Sequence, residues 1–267
     1  MNAEIFNERS DYKNPSGVVS SRASLPSPTL SIVIPTLKEG PFLERTLKNF
    51  DTLQIPHELI ITDGGSTDET LEVARRYTDK ITVWNQPRRQ TFGEAKNAGA
   101  ALATGTFLVF IDADVIIPSP QSFFEELLSV FGKRTHLIAT TAPLKPYSEN
   151  HSWTDAFFSA PLNWFYIVSN NIFHSGNSSG EFQMVRAELF RKIGGFTEHL
   201  AAGEDNDLFR RLATQGRTMS YGKLCVRHSL RRPHKLGWLR TYGIWIKNGL
   251  HVALRGKAAY KEWSVVR

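Results

Sequence analysis

Residues 106–115 read TFLVFIDADV, an apolar run that ends in two aspartates two positions apart. Short apolar runs bounded by polar residues are typical of buried strands. Residues i and i+2 of an extended segment point the same way, so Asp112 and Asp114 would share a face if the strand geometry continues through them. Two carboxylates held close repel each other, and a divalent cation removes that conflict. Because the chain has ten aspartates, a chance pair is the alternative.

The pattern of an apolar run followed by a helical segment repeats along the first half of the chain. Strands are predicted at LSIVIP, HELIIT, KITVWN and TFLVFI, and helices at 41–52, 66–77 and 92–103. The second helix opens with Ser66 and Glu69 in the spacing of a capping box. Strands that alternate with helices predict right-handed crossovers, and hence an α/β fold with a mostly parallel central sheet flanked by helices.

Composition limits the class of protein. The chain has 267 residues, of which 41% are hydrophobic, as expected for a globular protein with a substantial core. A single cysteine, Cys225, excludes an intramolecular disulfide and a cysteine-rich zinc site, and it indicates a reducing compartment. No signal peptide and no apolar run of about 18 residues is apparent, so we expect a cytoplasmic protein without a transmembrane helix.

Positive charge is concentrated at the C-terminal end. Residues 217–267 hold 12 Lys and Arg and one acid, Glu262, whereas the whole chain has a net charge of +6. This asymmetry indicates a polyanionic partner, which is a phosphate group, an anionic membrane or nucleic acid.

Two segments are rich in aromatic side chains. Residues 153–173 hold aromatics that we expect to lie mostly in the core, with stacking on sugar rings as the alternative. Residues 236–254 place apolar side chains near one helical face, although Arg240 and Lys247 interrupt it. This second segment is either a helix packed on the domain or an interfacial helix at an anionic bilayer.

Polar residues follow the predicted strands at the point where each strand ends. Thr36 and Glu39 follow the first strand, Asp63 follows the second, and Asp112 and Asp114 follow the fourth. Ligands of parallel α/β sheets bind beyond the carboxyl ends of the strands. Each residue alone is readily explained as a helix cap or turn residue, but their common position predicts a ligand site.

Five stretches resemble glycosyltransferase family 2, whose members have the nucleotide-sugar-binding GT-A fold. They are SIVIPTLKEG, ELIITDGGSTDETLEVA, AKNAGAALATGTFLVFIDADV, MVRAELFRKIGGF and GEDNDLFRRLATQG, in the order and at the spacing of the family. Two positions depart from the family pattern: Thr62, where many relatives have a second aspartate, and Lys38, where asparagine is common.

The resemblance implies a domain organisation around a Rossmann-like GT-A domain. That domain would span residues 30–232, with a nucleotide-binding half at 30–118 and an acceptor half at 119–232. Residues 1–29, which contain Pro, Ser and Asn clusters and little apolar periodicity, would form a mobile N-terminal tail before it. A basic amphipathic helical segment, residues 233–267, would follow it.

The resemblance also implies a donor site that uses Mn²⁺ or Mg²⁺. Asp114 would be the metal ligand, and Asp112 would lie nearer the ribose. Asp63 would accept a hydrogen bond from the base. His228, which follows a further predicted strand at GKLCV, would be another metal ligand, with a structural or merely exposed histidine as the alternative.

Other donor-site residues follow from the same resemblance. Pro35, Thr36, Glu39 and Ala113 would line the nucleotide-sugar pocket. Lys96 would lie near the diphosphate, and a solvated helix lysine is the alternative.

The stretch GEDNDLFRRL indicates the start of a helix with an acidic first turn. Asp205, Leu208 and Leu212 recur at i, i+3 and i+7. Asp205 therefore lies on the same side of the helix as the apolar side chains, at its N-terminal end. Acidic residues also stabilise a helix N-terminus, which is the alternative. By resemblance, Asp205 would be the general base and Glu204 would orient the acceptor.

Arg231 and Arg232 would contact the diphosphate or belong to the basic surface.

Together these features predict a metal-dependent inverting glycosyltransferase. It would move a sugar from a nucleotide-diphosphate donor to a glycan or lipid-linked acceptor in cell-envelope polysaccharide synthesis, with peripheral contact at an anionic membrane and without a nucleic-acid partner. A nucleotidyltransferase with a similar nucleotide site is one alternative, although it would not need the GEDND stretch. A non-enzymatic, basic membrane- or nucleic-acid-binding module is the other, and it leaves the acidic strand-end residues unexplained.

Overall fold

The computed structural model describes residues 28–147, 149 and 152–260. The predicted tail, residues 1–29, lies outside these ranges apart from its last two residues. The strands are β1 (Leu30–Thr36), β2 (His57–Asp63), β3 (Ile81–Val83), β4 (Phe107–Ile111), β5 (Val115–Ile116), β6 (Leu137–Thr141), β7 (Leu144–Pro146), β8 (Phe182–Arg186), β9 (Arg217–Ser220) and β10 (Val226–His228). The helices are α1 (Gly40–Lys48), α2 (Thr70–Arg75), α3 (Phe92–Leu102), α4 (Pro120–Lys133), α5 (Trp153–Asn171), α6 (Ala187–Lys192), α7 (Glu204–Ala213), α8 (Arg231–Leu236) and α9 (Trp238–Arg255).

A seven-stranded sheet forms the centre of the fold, in the order β3-β2-β1-β4-β8-β6-β9. All its neighbouring strands are parallel except β8, which runs antiparallel to both β4 and β6. A second sheet of three short strands has the order β5-β10-β7. The mostly parallel α/β fold predicted from the strand–helix alternation is therefore confirmed.

The central strands are buried because helices cover both faces of the sheet. Every residue of β1 and of β4 is buried. Along β1 the side chains alternate, so Ile32 and Ile34 pack in one core cluster with Leu43, whereas Val33 packs in a second cluster with Phe209. The continuous apolar runs of the sequence thus belong to strands with two buried faces.

The predicted start of the second helix is wrong. Helix α2 begins at Thr70, and its N-cap residue Glu69 makes no side-chain capping bond. The Ser66 hydroxyl instead donates to the Asp63 carboxylate in the β2–α2 loop. Complete capping boxes form at the N-termini of α3 and α5, through Thr91 with Glu94 and through Ser152 with Asp155.

Two other predicted boundaries differ from the structure. The first helix ends at Lys48 rather than at residue 52. The strand predicted at GKLCV instead spans Val226–His228, so His228 lies on strand β10 rather than after it. Asp63, by contrast, ends β2 as expected.

The aromatics of α5 are largely exposed, so the prediction that they lie in the core is wrong for most of them. Exposed fractions are 78% for Trp153, 65% for Phe157, 67% for Trp164 and 73% for Phe173, which follows the helix. Helix α5 is buried on its polar side instead, where Asp155 and other polar residues face the domain.

Helix α9 divides its apolar residues between two sides. Trp238, Tyr242 and Trp245 are half-buried against the domain, whereas Leu239 and Ile246 are exposed. The half-buried side agrees with a helix packed on the domain. The exposed apolar side leaves the interfacial helix as a prediction. Among the helices of the described ranges, none combines the length and the hydrophobicity that crossing a bilayer requires.

Candidate active site

A cavity of about 380 Å³ opens at the edge of the sheet where the parallel strands β1 and β4 end. Ten of the predicted site residues line it: Pro35, Thr36, Glu39, Lys96, Asp112, Ala113, Asp114, Glu204, Asp205 and His228. The fold therefore brings the predicted donor residues and the predicted acceptor residues into one cavity.

Asp63 is the predicted site residue that is not among those lining the cavity. Its side chain is 1% exposed. One carboxylate oxygen accepts from the hydroxyls of Thr36, at 3.1 Å, and Ser66, while the other accepts from the amides of Gly65 and Ser66 at 2.9 and 2.7 Å. Because a carboxylate has about four acceptor positions, these bonds fill it. These hydrogen bonds give Asp63 a role in shaping the β2–α2 loop. The predicted hydrogen bond from a nucleotide base to Asp63 stays a prediction, and it would have to replace one of them.

The backbone conformation at Lys38, one of the two departures from the family pattern, is one that favours asparagine. Lys38 has φ of +55°, in the left-handed region. Asparagine tolerates this region better than other residues with a side chain do. The Lys38 amide donates to Ser66 at 2.7 Å, which holds the β1–α1 loop against the β2–α2 loop beside the cavity.

Asp112 and Asp114 lie on a turn rather than on a continuing strand. Strand β4 ends at Ile111, and the amide of Val115 donates to the carbonyl of Asp112 at 3.1 Å. The premise that strand geometry places both carboxylates on one face is therefore wrong. The turn is fixed from outside, since the Thr46 hydroxyl donates to the carbonyl of Ala113 at 2.8 Å. Both carboxylates nevertheless line the same cavity.

The Arg231 guanidinium bridges two acidic residues of the cavity. It contacts Asp114 at 3.0 Å and Glu39 at 3.0 Å, and it lies 4.5 Å from the centre of the Phe42 ring. The Ser229 hydroxyl also donates to Asp114. Arg231 thus joins the β1–α1 loop to the turn after β4, and it neutralises the carboxylate predicted to bind a metal.

The residues around Asp114 fit a divalent cation that is completed by the donor. Strand β10 pairs His228 with Val115, the residue after Asp114, so a carboxylate and an imidazole share one wall of the cavity. No set of three or more His, Cys, Asp or Glu side chains within the described ranges is arranged to hold a metal by itself. Mg²⁺ and Mn²⁺ commonly take one or two protein ligands together with phosphate oxygens and water. Asp114 and His228 match that donor set.

Lys96 is buried in an ion pair, so the alternative of a solvated helix lysine is wrong. Its side chain is 1% exposed, and its ammonium lies 2.6 Å from Asp205 Oδ1 and 3.7 Å from Glu204 Oε1. Burial lowers the pKa of Lys96, but the carboxylates of Asp205, Glu204 and Asp112 raise it further, so the net shift is upward. A protonated lysine therefore holds the predicted base in one orientation.

Two carboxyl groups beside Lys96, those of Glu204 and Asp112, have raised pKa values. Burial, followed by the charge of Asp205, raises the pKa of Glu204 to about 8, although Lys96 opposes the shift. Burial also raises the pKa of Asp112 well above its usual value, Lys96 opposes that shift, and the carboxylates of Glu181, Asp114 and Asp205 add to it. The raised pKa favours the protonated form of Glu204, which is a hydrogen-bond donor rather than a second base.

Substitution of Glu204 by glutamine is expected to flatten the dependence of stability on pH. The pKa of Glu204 is about 8 in the folded protein against a usual 4.5, so the stability that the protonated group contributes is fully present below 4.5 and is lost as pH rises through 8. Glutamine stays uncharged, and the melting temperature should fall less between about pH 5 and 9 than in the wild type. Thermal denaturation across pH measures this. Glu188→Gln, at an exposed carboxylate on α6, is the matched control, and an unchanged pH profile in Glu204→Gln would contradict the shift.

Several cavity residues were not singled out in the sequence. Arg89 lines the cavity, and burial together with the charge of Arg89 lowers the pKa of Arg232, which marks an electropositive part of the wall. Ser179 is 5% exposed, lines the cavity and has a hydroxyl without a hydrogen-bond partner in the described residues. Gly180 leaves space for the predicted base, since a Cβ there would lie 2.5 Å from Asp205 Oδ2. The Ser/Gly-rich stretch GNSSGE is the feature of the sequence that could have indicated Ser179 and Gly180.

Two proteins of similar sequence are named as glycosyltransferases. The O-antigen chain rhamnosyltransferase WbaN of Salmonella anatum is 27% identical over 216 residues, which cover 78% of this chain and 67% of that protein. Validoxylamine A glucosyltransferase of Streptomyces hygroscopicus subsp. jinggangensis is 27% identical over 230 residues, which cover 73% of this chain and 54% of that protein.

A solved structure has the same fold. The mannosyltransferase PcManGT from Pyrobaculum calidifontis, in complex with GDP-Man and Mn²⁺, superposes with a TM-score of 0.64 at 19% identity, over 84% of this chain and 62% of that one. The chain thus spans about half to two thirds of the length of these relatives. A sequence profile described as "Glycosyl transferase family 2" matches residues 31–194, more than half of the chain. With this match, and with the GT-A fold that its relatives share, the chain belongs to glycosyltransferase family 2.

Proposed function

We propose that the protein is a metal-dependent inverting glycosyltransferase that moves a sugar from a nucleoside-diphosphate donor to an acceptor hydroxyl. The observation that carries the proposal is the position of Asp205. Its carboxylate is fixed by buried Lys96 and faces the same cavity as Asp114 and His228. A base and a donor site within one cavity are what direct transfer requires.

The donor would occupy the part of the cavity at the ends of β1 and β4. Pro35, Thr36, Glu39 and Ala113 would line the nucleotide-sugar site. Arg231 would offer its guanidinium to the diphosphate, and bidentate pairing with phosphate suits that group. When bound, Mn²⁺ or Mg²⁺, held by Asp114 and His228, would stabilise the charge that develops on the leaving diphosphate.

Asp205 would accept the proton of the acceptor hydroxyl as the hydroxyl oxygen bonds to the anomeric carbon of the donor sugar. The bond between that carbon and the diphosphate oxygen breaks in the same step, and the nucleoside diphosphate leaves with the electron pair. One displacement inverts the anomeric carbon, and no covalent sugar–enzyme intermediate forms. Protonated Glu204 would donate a hydrogen bond that orients the incoming substrate.

We infer that the acceptor is a glycan or a lipid-linked saccharide of envelope polysaccharide synthesis, reached at a membrane surface. The name of the Salmonella relative, an O-antigen chain rhamnosyltransferase, supports this acceptor class. A nucleotidyltransferase is disfavoured because it gives no role to the buried Lys96–Asp205 pair beside Glu204. A non-enzymatic basic module is disfavoured because it leaves the acidic cavity wall without a purpose.

The test is donor binding followed by product analysis. Nucleoside diphosphates with different bases are added with Mn²⁺, and the melting temperature of the purified chain is measured. A true ligand at 100 times its dissociation constant stabilises the folded state by about 2.7 kcal/mol. The matching nucleotide sugars are then incubated with candidate acceptors, and the anomeric configuration of the product is read by NMR. No stabilisation by any nucleoside diphosphate, or a product of retained configuration, would overturn the proposal.

A further inference from the structure

Helix α5 has an apolar stripe that faces away from the domain. Trp153, Phe157 and Trp164 recur at i, i+4 and i+11, a spacing that places them on one side of a helix. They are 78%, 65% and 67% exposed. Asp155 is the only charged residue of α5, and it is buried. A long helix whose solvent side is aromatic and uncharged is unusual for a protein surface that only water covers.

Helix α9 has a second exposed apolar stripe. Leu239, Ile246 and Leu250 recur at i, i+7 and i+11 and are 79%, 58% and 56% exposed. Arg240 and Lys247 are exposed beside these residues, and α9 contains no acidic residue. An apolar side bordered by basic side chains is the pattern of a helix that lies in a membrane interface.

The two helices are joined to each other. The Asp155 carboxylate accepts a hydrogen bond from the Trp238 indole at 3.0 Å, and the ring of His234 lies 3.0 Å from the same carboxylate. The rings of Phe158 and Trp238 stack with centroids 5.5 Å apart, and the Tyr242 hydroxyl donates to the carbonyl of Phe158. The two stripes therefore belong to one packed pair of helices.

The same pair of helices also forms part of the cavity wall. Leu162 and Tyr166 of α5 line the cavity, as do Trp245 and Asn248 of α9. Each helix thus has residues in the cavity wall and separate apolar residues exposed to solvent.

We propose that these outer stripes dock on the surface of an anionic phospholipid bilayer. The two stripes, Trp153, Phe157 and Trp164 on α5 with Leu239, Ile246 and Leu250 on α9, are together named here the α5–α9 face. Aromatic and aliphatic side chains enter the interface between headgroups and acyl chains, and the flanking Arg240 and Lys247 pair with anionic headgroups. Because the same helices wall the cavity, docking brings the cavity next to the membrane. If the proposed function holds, the acceptor is then an amphiphile whose saccharide stands at the bilayer surface.

Charge favours a membrane over a second copy of the chain. Helix α9 has three exposed basic residues, Arg240, Lys247 and Arg255, and no acidic residue, while the charged residue of α5, Asp155, is buried. A two-fold interface through the α5–α9 face would set this basic surface against its own copy, and like charges across an interface are unfavourable. An anionic bilayer offers the opposite charge.

Vesicle flotation with the full chain tests the proposal. Vesicles of phosphatidylcholine alone are compared with vesicles that also contain phosphatidylglycerol, at low and high salt. The protein should float with the anionic vesicles and stay behind with the neutral ones, and salt should weaken binding because it screens the basic side chains. A blue shift of tryptophan fluorescence on binding should report the burial of Trp153 and Trp164.

Two variants separate the apolar contribution from the charge contribution. Replacing Phe157, Trp164, Ile246 and Leu250 together by serine should weaken partitioning into anionic vesicles by more than about tenfold. The Arg240→Gln/Lys247→Gln variant should weaken it about 25-fold, since each basic residue near the surface contributes about fivefold. Lys133→Gln/Lys192→Gln, at exposed lysines on α4 and α6, is the matched control and should bind like the wild type.

The outcomes distinguish this inference from the proposed function. Recovery of the wild type in the unbound fraction with both vesicle types overturns the inference, and so does a wild-type dimer in light scattering that becomes monomeric in the four-serine variant. In either case nucleoside-diphosphate binding and transfer to a water-soluble acceptor should persist if the proposed function is right. Failure of the wild type to bind any nucleoside diphosphate would instead count against the proposed function alone.

Discussion

Replacement of Asp205 by asparagine is expected to lower turnover by about 10²–10⁴-fold, the usual range for loss of a general base. Asparagine keeps the shape of the side chain, and its amide oxygen still accepts from Lys96, so the cavity should stay intact. With one carboxylate neutralised, the nearby Glu204 should ionise more readily, because the charge of Asp205 is one cause of its raised pKa. The charge of Lys96 then remains balanced, and the variant should fold.

The measurements for this variant are turnover with a fixed acceptor and donor affinity by calorimetry. Donor affinity should match that of the wild type. Asp207→Asn is the control, because Asp207 lies on the same helix turn, pairs with Arg211 at 2.9 Å and is not among the residues that line the cavity. A collapse of donor affinity in Asp205→Asn would place Asp205 in the donor site and contradict the division of the cavity into a donor part and an acceptor part.

Replacement of Asp114 by asparagine is expected to remove most of the metal-dependent donor affinity. A divalent cation at a diphosphate is worth several kcal/mol, so the loss should be on the order of 10²-fold or more. Transfer by the wild type should stop in EDTA and resume with Mn²⁺. Binding of Mn²⁺ itself, followed by electron paramagnetic resonance in the presence of the nucleoside diphosphate, gives a measurement that does not depend on activity.

The Arg231 bridge provides a comparison variant for Asp114. Glu39→Gln removes the other carboxylate that holds Arg231 but leaves Asp114 in place. It should weaken donor binding while preserving the response to Mn²⁺. If Asp114→Asn were fully active in EDTA, the metal assignment would be wrong, and the guanidinium groups of the wall would have to balance the diphosphate alone.

The sequence predicted the parallel sheet and the common position of most of the strand-end polar residues because both depend on local patterns. Buried strands appear as continuous apolar runs, and the carboxyl ends of parallel strands meet at one edge. Thr36, Glu39 and Asp112 therefore reached one cavity as expected. The predicted start of α2 failed because the Ser66 hydroxyl donates to Asp63 and its oxygen accepts from the Lys38 amide, so it does not accept from a helix amide as a capping box requires.

Other features depended on contacts that local patterns do not encode. Lys96 and Asp205 are far apart in the chain, so their ion pair gives no local signal. Periodicity likewise does not say which side of a helix faces the domain. In α5 the polar side is buried, because Asp155 and Asn163 bond to groups of neighbouring elements, and the aromatic side is left outside. The assumption that aromatic residues face inward therefore failed there.

The antiparallel strand β8 has a consequence for how specificity is able to change in this chain. It pairs Phe182 with Ile111, so the start of β8 meets the end of β4 at the edge of the cavity. Gly180 thereby reaches Asp205 from a connection that lies outside the contiguous segment supplying β1 to β4. Mutations that lengthen or reshape this connection would alter the proposed acceptor side while the proposed nucleotide side keeps its own backbone. The connection before β8 is thus the place to exchange loops when a change of acceptor is wanted and the backbone from β1 to β4 is to be kept.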